Sequence, residues 1–440
     1  MMTGPRITLI SPRGPLYRHN GGIWKKSLRY APLTLTTLAA LIPDELNAEV
    51  TLVDEGIEEV DTDLNADLVG ISAITGTAPR AYEIAEEFRS QDVPVVMGGV
   101  HPTLRPEEAM AHADSVVTGY AEETWPQLLH DFTNGGMQRR YDQDPDLDLS
   151  GSPRPRRDLL PEGRFTTPHT IEATRGCQHR CDFCVVPSAW GSPMQKPVAA
   201  VIDDIRQMDP DTLVFLDLNL LGDIEYAKEL FRALIPLDLQ WGGLATTLIA
   251  QDDELIDLAA RSGCAGLLIG LESLNPDSLA ETRKQFNTLE EYRTVVDRLH
   301  DAGIAIMGCF VFGFDNDTPA VFEETVEFVN EVGIDLPRYA VLTPFPGTPL
   351  FRRLKKQGRI RTEDWTKYDG QHVVYEPEGM SAEALQEGTR QAWEDTYKIT
   401  SIARRLFRSR TRPMLSIASN LGYRFYANRL DRYYNCREPV

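Results

Sequence analysis

The chain has 440 residues, 42% of them apolar, and a formal net charge of −21. That length suits two or three domains with sizeable cores. No run of about twenty apolar residues is present, which excludes a transmembrane helix, and the acidic balance argues against nucleic acid as a partner.

Met1 to Pro15 lacks the charged, then apolar, then small-residue pattern of a signal peptide. Six cysteines, three of them bunched, do not make a disulfide framework, so a reducing cytoplasm is the expected compartment. The first ~140 residues alternate β-rich runs with helical stretches, the pattern of a parallel sheet covered on both faces. Strands are expected at Arg6–Ile10, Glu49–Val53, Leu68–Ala73, Pro94–Met97 and Ser115–Thr118. Helices fit Leu33–Ile42, Ala78–Ser90, Pro106–His112 and Glu122–Phe132. This rhythm implies a flavodoxin-like (Rossmann-type) α/β domain over residues 1–141, whose ligands bind beyond the carboxyl ends of the strands. Strand three ends Ser72-Ala73-Ile74 and strand four ends Gly98-Gly99-Val100-His101. Two glycines there let the backbone approach a bulky ligand that a Cβ would block. Residues 142–169 are rich in turn and charged residues and form a connector, with Leu159, Leu160 and Phe165 as its packing residues.

From Thr170 the alternation resumes. Strands are expected at Thr170–Thr174, Thr212–Asp217, Gln240–Ala245, Gly266–Leu271, Ile304–Gly313 and Arg338–Thr343, with helices at Ala199–Gln207, Ile224–Ile235, Asp252–Ser262, Leu289–Ala302 and Ala320–Glu331. Six such units suit a partial (β/α)6 barrel over residues 170–350, with active groups gathered at the carboxyl ends of its strands. The first strand runs into Thr174-Arg175-Gly176-Cys177-Gln178-His179-Arg180-Cys181-Asp182-Phe183-Cys184. Thiolates spaced C-x3-C-x2-C are soft ligands for an iron–sulfur cluster, zinc or Cu(I). A structural zinc site wants four ligands, usually in two separated pairs, and no second pair lies near. Three thiolates on a four-iron cluster leave one iron open, a sign of chemistry rather than scaffolding. The plainer alternative is a zinc knuckle or unrelated buried cysteines.

This stretch resembles the signature of the radical S-adenosylmethionine (AdoMet) superfamily. The resemblance implies that Cys177, Cys181 and Cys184 hold a [4Fe-4S] cluster whose open iron chelates AdoMet. One electron, from a donor such as flavodoxin or ferredoxin, then releases a 5′-deoxyadenosyl radical. It also implies Phe183 beside the adenine, and Asp217, Asn219, Glu272 and Gly313, at later strand ends, around AdoMet. A glutamate ending an apolar strand is costly to bury unless paired, so Glu272 either faces AdoMet or bonds a neighbouring strand or loop. Lys284 reads as solvated. Cys264 and Cys309 read as core thiols, with Cys309 on a strand that reaches the barrel interior. The run Thr343-Pro344-Phe345-Pro346-Gly347-Thr348-Pro349-Leu350 resembles one of the family's cobalamin-dependent branch, which implies a stiff turn near the substrate.

The strand ends of the first domain resemble those of cobalamin-binding domains, which implies Ser72, Gly98, Gly99 and His101 as cobalamin contacts. The D-x-H-x-x-G motif that ligates cobalt in one type of such domain is missing. Its nearest echo, Arg18-His19-Asn20-Gly21-Gly22, lacks the aspartate. The domain therefore either binds cobalamin without a protein ligand to the metal or is empty.

Residues 351–440 read as a C-terminal helical region, with an aromatic loop at Trp365–Tyr375 and one helix over Ser381–Ile402. From Thr396 to Val440, ten Lys or Arg stand against Asp431 and Glu438, a net +8 that leaves −29 for the remainder. Interleaved with Leu406, Phe407, Leu415, Ile417, Leu421, Tyr423, Phe425 and Tyr426, this tail either docks on the rest of its own chain or lies on an anionic membrane surface. The second reading would place a cytoplasmic enzyme at the inner face of the membrane.

The two resemblances together imply a cobalamin-dependent radical AdoMet enzyme that methylates an unactivated carbon of a small-molecule or lipid-like substrate. Radical cyclisation or rearrangement without methyl transfer is one alternative. A cobalamin or redox sensor with a structural cluster is the other. Sulfur insertion is disfavoured, because relatives of that type carry further cysteines in the N-terminal domain and residues 1–176 contain none.

Overall fold

The structure, a computed structural model, describes residues 4–14, 27–284, 287–409 and 411–430. The Arg18–Gly22 echo, Arg410 and residues 431–440 of the basic tail lie outside the described residues.

The first sheet has six strands: β1 (Arg6–Ser11), β2 (Glu49–Asp54), β3 (Leu68–Ser72), β4 (Val95–Gly98), β5 (Ser115–Thr118) and β6 (Arg140–Asp142). All are parallel, in the order β2-β1-β3-β4-β5-β6. Helices on both faces explain why β3 and β4 are apolar nearly throughout. Val69, Ile71 and Met97 pack against Ala81, Ala85 and Phe88 of the helix Ala78–Arg89. On the opposite face Ile7, Leu9 and Leu68 meet Leu35 and the helix Thr124–Thr133 through Trp125 and Leu129. Strand β6 was not expected. It has three residues, of which only Tyr141 is buried, too few for an alternating pattern to show.

The second sheet is β7 (Thr170–Ile171), β8 (Thr212–Phe215), β9 (Gln240–Ala245), β10 (Cys264–Glu272), β11 (Ala305–Phe312) and β12 (Arg338–Val341), parallel and in chain order, with β7 and β12 at its edges. Burial alternates along β11. Phe310 and Phe312 face outward onto Phe328 and Phe322 of the helix Ala320–Val332, which leaves Met307, Cys309 and Val311 half-buried on the barrel's inner face. Cys309 is thus a lumen residue, whereas Cys264 is core.

Between the sheets, Phe165–Thr167 pairs in parallel with Ser27–Tyr30. Leu159 packs on the first domain, and Leu160 with Phe165 packs on Ala31 and Ile57. Beyond the barrel, Phe351, Trp365, Tyr368 and Val374 form a small aromatic cluster. The expected single helix over Ser381–Ile402 is two: Ala382–Thr396 ends at Tyr397, and a second runs Ile399–Ser409. Tyr397 explains the break, because its hydroxyl donates to Pro337 O at 2.7 Å and its ring lies fully buried. A third helix, Pro413–Ala427, follows. These helices dock on the barrel through Arg405, which is 0% exposed and donates to Asn330 Oδ1, Thr396 O and Asn420 Oδ1 at 2.9, 2.6 and 2.8 Å. Among the described residues no helix is long and apolar enough to cross a membrane.

Candidate functional site

The loop after β7 carries Cys177, Cys181 and Cys184, all half-buried free thiols, and all three line one pocket of about 390 Å³ at the carboxyl end of the barrel. Its frame is rigid. Thr174–Arg175 pairs with Met194–Gln195, Cys184 N donates to Cys181 O at 3.1 Å, and Leu350 N donates to Asp182 O at 3.0 Å. The last contact brings the proline-rich turn after β12 against the cysteine loop. Burial pushes the Cys181 thiol up to about 12 and the Cys184 thiol up as well, a cost that coordination to a cation reverses by removing the proton. No three His, Cys, Asp or Glu side chains among the described residues close on a single ion. A four-iron cluster asks for less, one thiolate on each of three irons.

Asn219, 4% exposed, follows β8 and lies against Cys177 and Gln178. Its Nδ2 donates to Gln178 Oε1 at 3.0 Å and points at Cys177 Sγ at 3.8 Å, while its buried Oδ1 has no partner. An orphaned acceptor beside three thiols fits a ligand that brings a donor, as the ammonium of AdoMet does. Phe183 packs on the barrel core with its ring edge-to-face with Phe314, centroids 6.4 Å apart.

Asp217, Lys284 with Glu272, and Gly313 are held by contacts within the protein. Asp217 is fully buried and faces away from the pocket: its carboxylate accepts from Ala173 N at 3.1 Å, from Thr174 N and from Thr174 Oγ1 at 2.8 Å. It fastens β8 to the cysteine loop, and burial pushes its pKa up to about 7. Lys284 is not solvated. It is 7% exposed and donates to Glu272 Oε1 at 2.7 Å and Gly270 O at 2.8 Å, so Glu272 is paired, as its position at the end of an apolar strand requires. Glu272 holds a left-handed φ of 67°, where β10 shifts register against β11. Gly313 faces the C-terminal region. A Cβ there would strike the Tyr375 hydroxyl and Leu385, and its carbonyl accepts from Tyr375.

A second cavity, about 280 Å³, lies between the carboxyl edges of the two sheets. Ser72, Gly98 and Gly99 line it from the first domain, and Arg175, Trp190, Leu216 and Leu218 from the second. Gly99 has a φ of 95°, and a Cβ on it would sit 2.8 Å from Ala73 O and 2.9 Å from Ser72 Oγ, so only glycine closes this strand end. Sequence reasoning missed the residues that join the walls. Arg175 ion-pairs with Glu122 of the first domain and with Glu172 at 2.6 Å, and lies over the Tyr120 ring, 4.8 Å from its centroid. Tyr120 in turn stacks on Trp190 at 4.7 Å. The signal available was the Thr-Arg-Gly run itself, with Glu172 three residues before Arg175.

His101 is likewise held by contacts within the protein. The backbone after Gly99 turns at once into the helix Val100–Leu104, which carries His101 away from the cavity. It is 0% exposed, with Nε2 3.4 Å from Glu108 Oε1 and its ring edge-on to Trp365 at 5.5 Å. Glu108 also accepts from Trp365 Nε1 at 2.7 Å, so this cluster ties the first domain to the C-terminal region.

Residues 171–329 match the Radical SAM superfamily and residues 29–129 match the B12 binding domain. The chain is 33% identical over 395 residues to bacteriochlorophyllide d C-12(1)-methyltransferase of Chlorobaculum tepidum, covering 85% of this chain and 84% of that protein. It is 31% identical over 372 residues to the C-8(2)-methyltransferase of the same organism, covering 78% and 82%. Among solved structures, the fold superposes on the cobalamin-dependent S-adenosylmethionine radical enzyme OxsB with aqua-cobalamin bound, at a TM-score of 0.71 and 15% identity over 97% of this chain and 73% of that one. With both domains present in that order and a relative of this identity along most of its length, the chain belongs to the cobalamin-binding radical S-adenosylmethionine enzymes, whose cofactors are a [4Fe-4S] cluster, AdoMet and cobalamin.

Proposed function

We propose that the chain is a C-methyltransferase that transfers a methyl group to an unactivated carbon. One observation carries this reading: a single strand end serves both cavities. Leu216 and Leu218 line the cavity edged by Ser72, Gly98 and Gly99, and Asn219, the next residue, touches Cys177. When bound, the cluster with AdoMet supplies a 5′-deoxyadenosyl radical and cobalamin carries the methyl group. The chain supplies position and apolar walls. Asn219 Oδ1 would accept from the AdoMet ammonium, Phe183 and Phe314 would wall the adenine, and Leu216 and Leu218 would give the second cavity an apolar wall on the barrel side. Ser72, Gly98 and Gly99 are the cobalamin contacts. Glu272 acts through its pairing with Lys284, which fixes the end of β10.

The division of labour is residues 1–141 for cobalamin, 170–350 for the cluster and AdoMet, and 351–440 closing the barrel, with 142–169 between. Arg180 and Arg283 line the cysteine pocket near the surface, where they suit an acidic one-electron donor of the flavodoxin or ferredoxin class. The setting is the reducing cytoplasm or its membrane face. The bacteriochlorophyllide relatives make a tetrapyrrole side chain the first substrate to try. The test is incubation of reduced, fully loaded enzyme with a chlorophyllide and AdoMet labelled in the methyl group. A product that gains one labelled methyl supports the reading. An oxidised or ring-closed product without label replaces it with radical cyclisation.

A further inference from the structure

The helix Pro413–Ala427 sets a mixed polar and aromatic side against the protein. Ser416, Asn420 and Ala427 are buried there, and Tyr423 and Tyr426 pack on Trp393. Asn420 Nδ2 donates to Asp335 O at 3.0 Å, and its Oδ1 accepts from Arg405 at 2.8 Å. The apolar side chains point the other way: Met414 is 83% exposed, Ile417 44%, Leu421 50% and Phe425 52%, and Phe407 on the preceding helix is 85% exposed. Met414, Ile417, Leu421 and Phe425 recur at three- and four-residue spacing and share one face. A helix that is already docked on one side and still offers a row of large apolar side chains outward is suited to meet a second apolar phase.

The charge within these helices has one sign, although Glu331 of the barrel lies near Arg404 and Arg408. Residues 399–430 contain seven arginines and no Asp or Glu, in a chain with 66 acidic residues. Arg404 and Arg408 share the exposed side of their helix with Phe407, and Arg429 lies over the Phe425 ring, 3.9 Å from its centroid.

We infer that the face formed by Phe407, Met414, Ile417, Leu421 and Phe425 docks on an anionic lipid surface, making the enzyme a peripheral membrane protein. The apolar side chains enter the acyl boundary and the arginines meet the headgroups. A second copy is disfavoured, because a twofold contact would bring two sets of arginines together without an acidic residue of these helices between them. The inference rests on these helices alone and not on methyl transfer, so the two stand or fall separately.

The test is sedimentation of the full chain with vesicles of phosphatidylglycerol or of phosphatidylcholine. Binding is expected to the first and not the second, falling as salt rises. Replacing Phe407, Met414 and Phe425 with serine is expected to lower binding by at least ~tenfold, with circular dichroism and thermal midpoint unchanged because all three side chains are exposed. Arg404→Glu with Arg408→Glu is expected to lose about as much, each surface cation being worth about a fivefold change in binding. Equal, weak sedimentation with both lipids overturns the inference. A concentration-dependent dimer that the serine variant dissociates, without lipid binding, assigns the face to a second copy. Binding seen only after truncation at Leu430 assigns it to the chain's own C-terminus.

Discussion

Replacing Lys284 with methionine would strand the Glu272 carboxylate inside the protein without the cation that neutralises it. The two side chains are 9% and 11% exposed and 2.7 Å apart, too buried for water to take over. The other acceptor of the ammonium, Gly270 O, keeps Asn287 Nδ2 at 3.1 Å, so the loss falls on Glu272. Breaking one side of a buried pair costs ~3–5 kcal/mol, whereas removing both partners is often near neutral. The left-handed backbone of Glu272 is strain, ~1–3 kcal/mol, that the pair helps to hold in place. Lys284→Met is therefore expected to destabilise the barrel by about 3 kcal/mol, and Lys284→Met with Glu272→Met to recover most of it. Urea unfolding read by tryptophan fluorescence, with the barrel transition analysed separately because a multidomain chain does not unfold in one step, measures both. The reasoning fails if Lys284→Met lies within about 0.5 kcal/mol of the parent, or if the double variant is no more stable than the single one.

Gly98 and Gly99 make contrasting predictions. A Cβ at Gly98 meets nothing closer than Val117 O at 3.6 Å, so Gly98→Leu is expected to fold and to lose cobalamin, read from the absorbance of the loaded protein. Gly99→Ala is expected to lose stability as well, by ~1–3 kcal/mol, because its φ and its contacts both forbid a side chain; cobalamin retained in both variants would contradict the assignment of this cavity. Asp217 predicts a pH dependence. Burial raises its pKa to about 7 from 3.8, so the folded chain holds a proton that the unfolded chain releases. Stability from this group is fully present below the unfolded value and is lost as pH rises to about 7. Unfolding curves across that window should show the fall, and Asp217→Asn should flatten it; an unchanged slope would show that Asp217 is not its source.

The parallel sheets were legible because strands buried on both faces write themselves as apolar runs such as Leu68–Ser72, and the thiols because their spacing is chemistry rather than packing. What sequence hid was direction and long-range pairing. Lys284 looked solvated because its partner is twelve residues away across the end of β10. His101 was read along an extended strand end, but Gly99 turns the backbone into a short helix that rotates the ring away from the cavity. Asp217 and Asn219 sit two residues apart, yet one bonds the backbone of Ala173 and Thr174 and the other lies against Cys177. Arg405 reads as another surface arginine in a basic run, and its burial rests on Asn330 and Asn420, which no local pattern connects to it. The tail docks on its own chain through that arginine, while the apolar side of its last helix remains outside.

The central claim, that the three thiols and the cavity beside them form one methyl-transferring site, is tested most directly by an anaerobic product assay. Enzyme loaded with iron, sulfide and cobalamin is reduced and given AdoMet with a chlorophyllide, and 5′-deoxyadenosine and S-adenosylhomocysteine are quantified together. Both products are predicted, with deoxyadenosine abolished by Cys181→Ala. Deoxyadenosine without S-adenosylhomocysteine in cobalamin-loaded enzyme would contradict methyl transfer, and deoxyadenosine that persists in Cys181→Ala would contradict the cluster site itself.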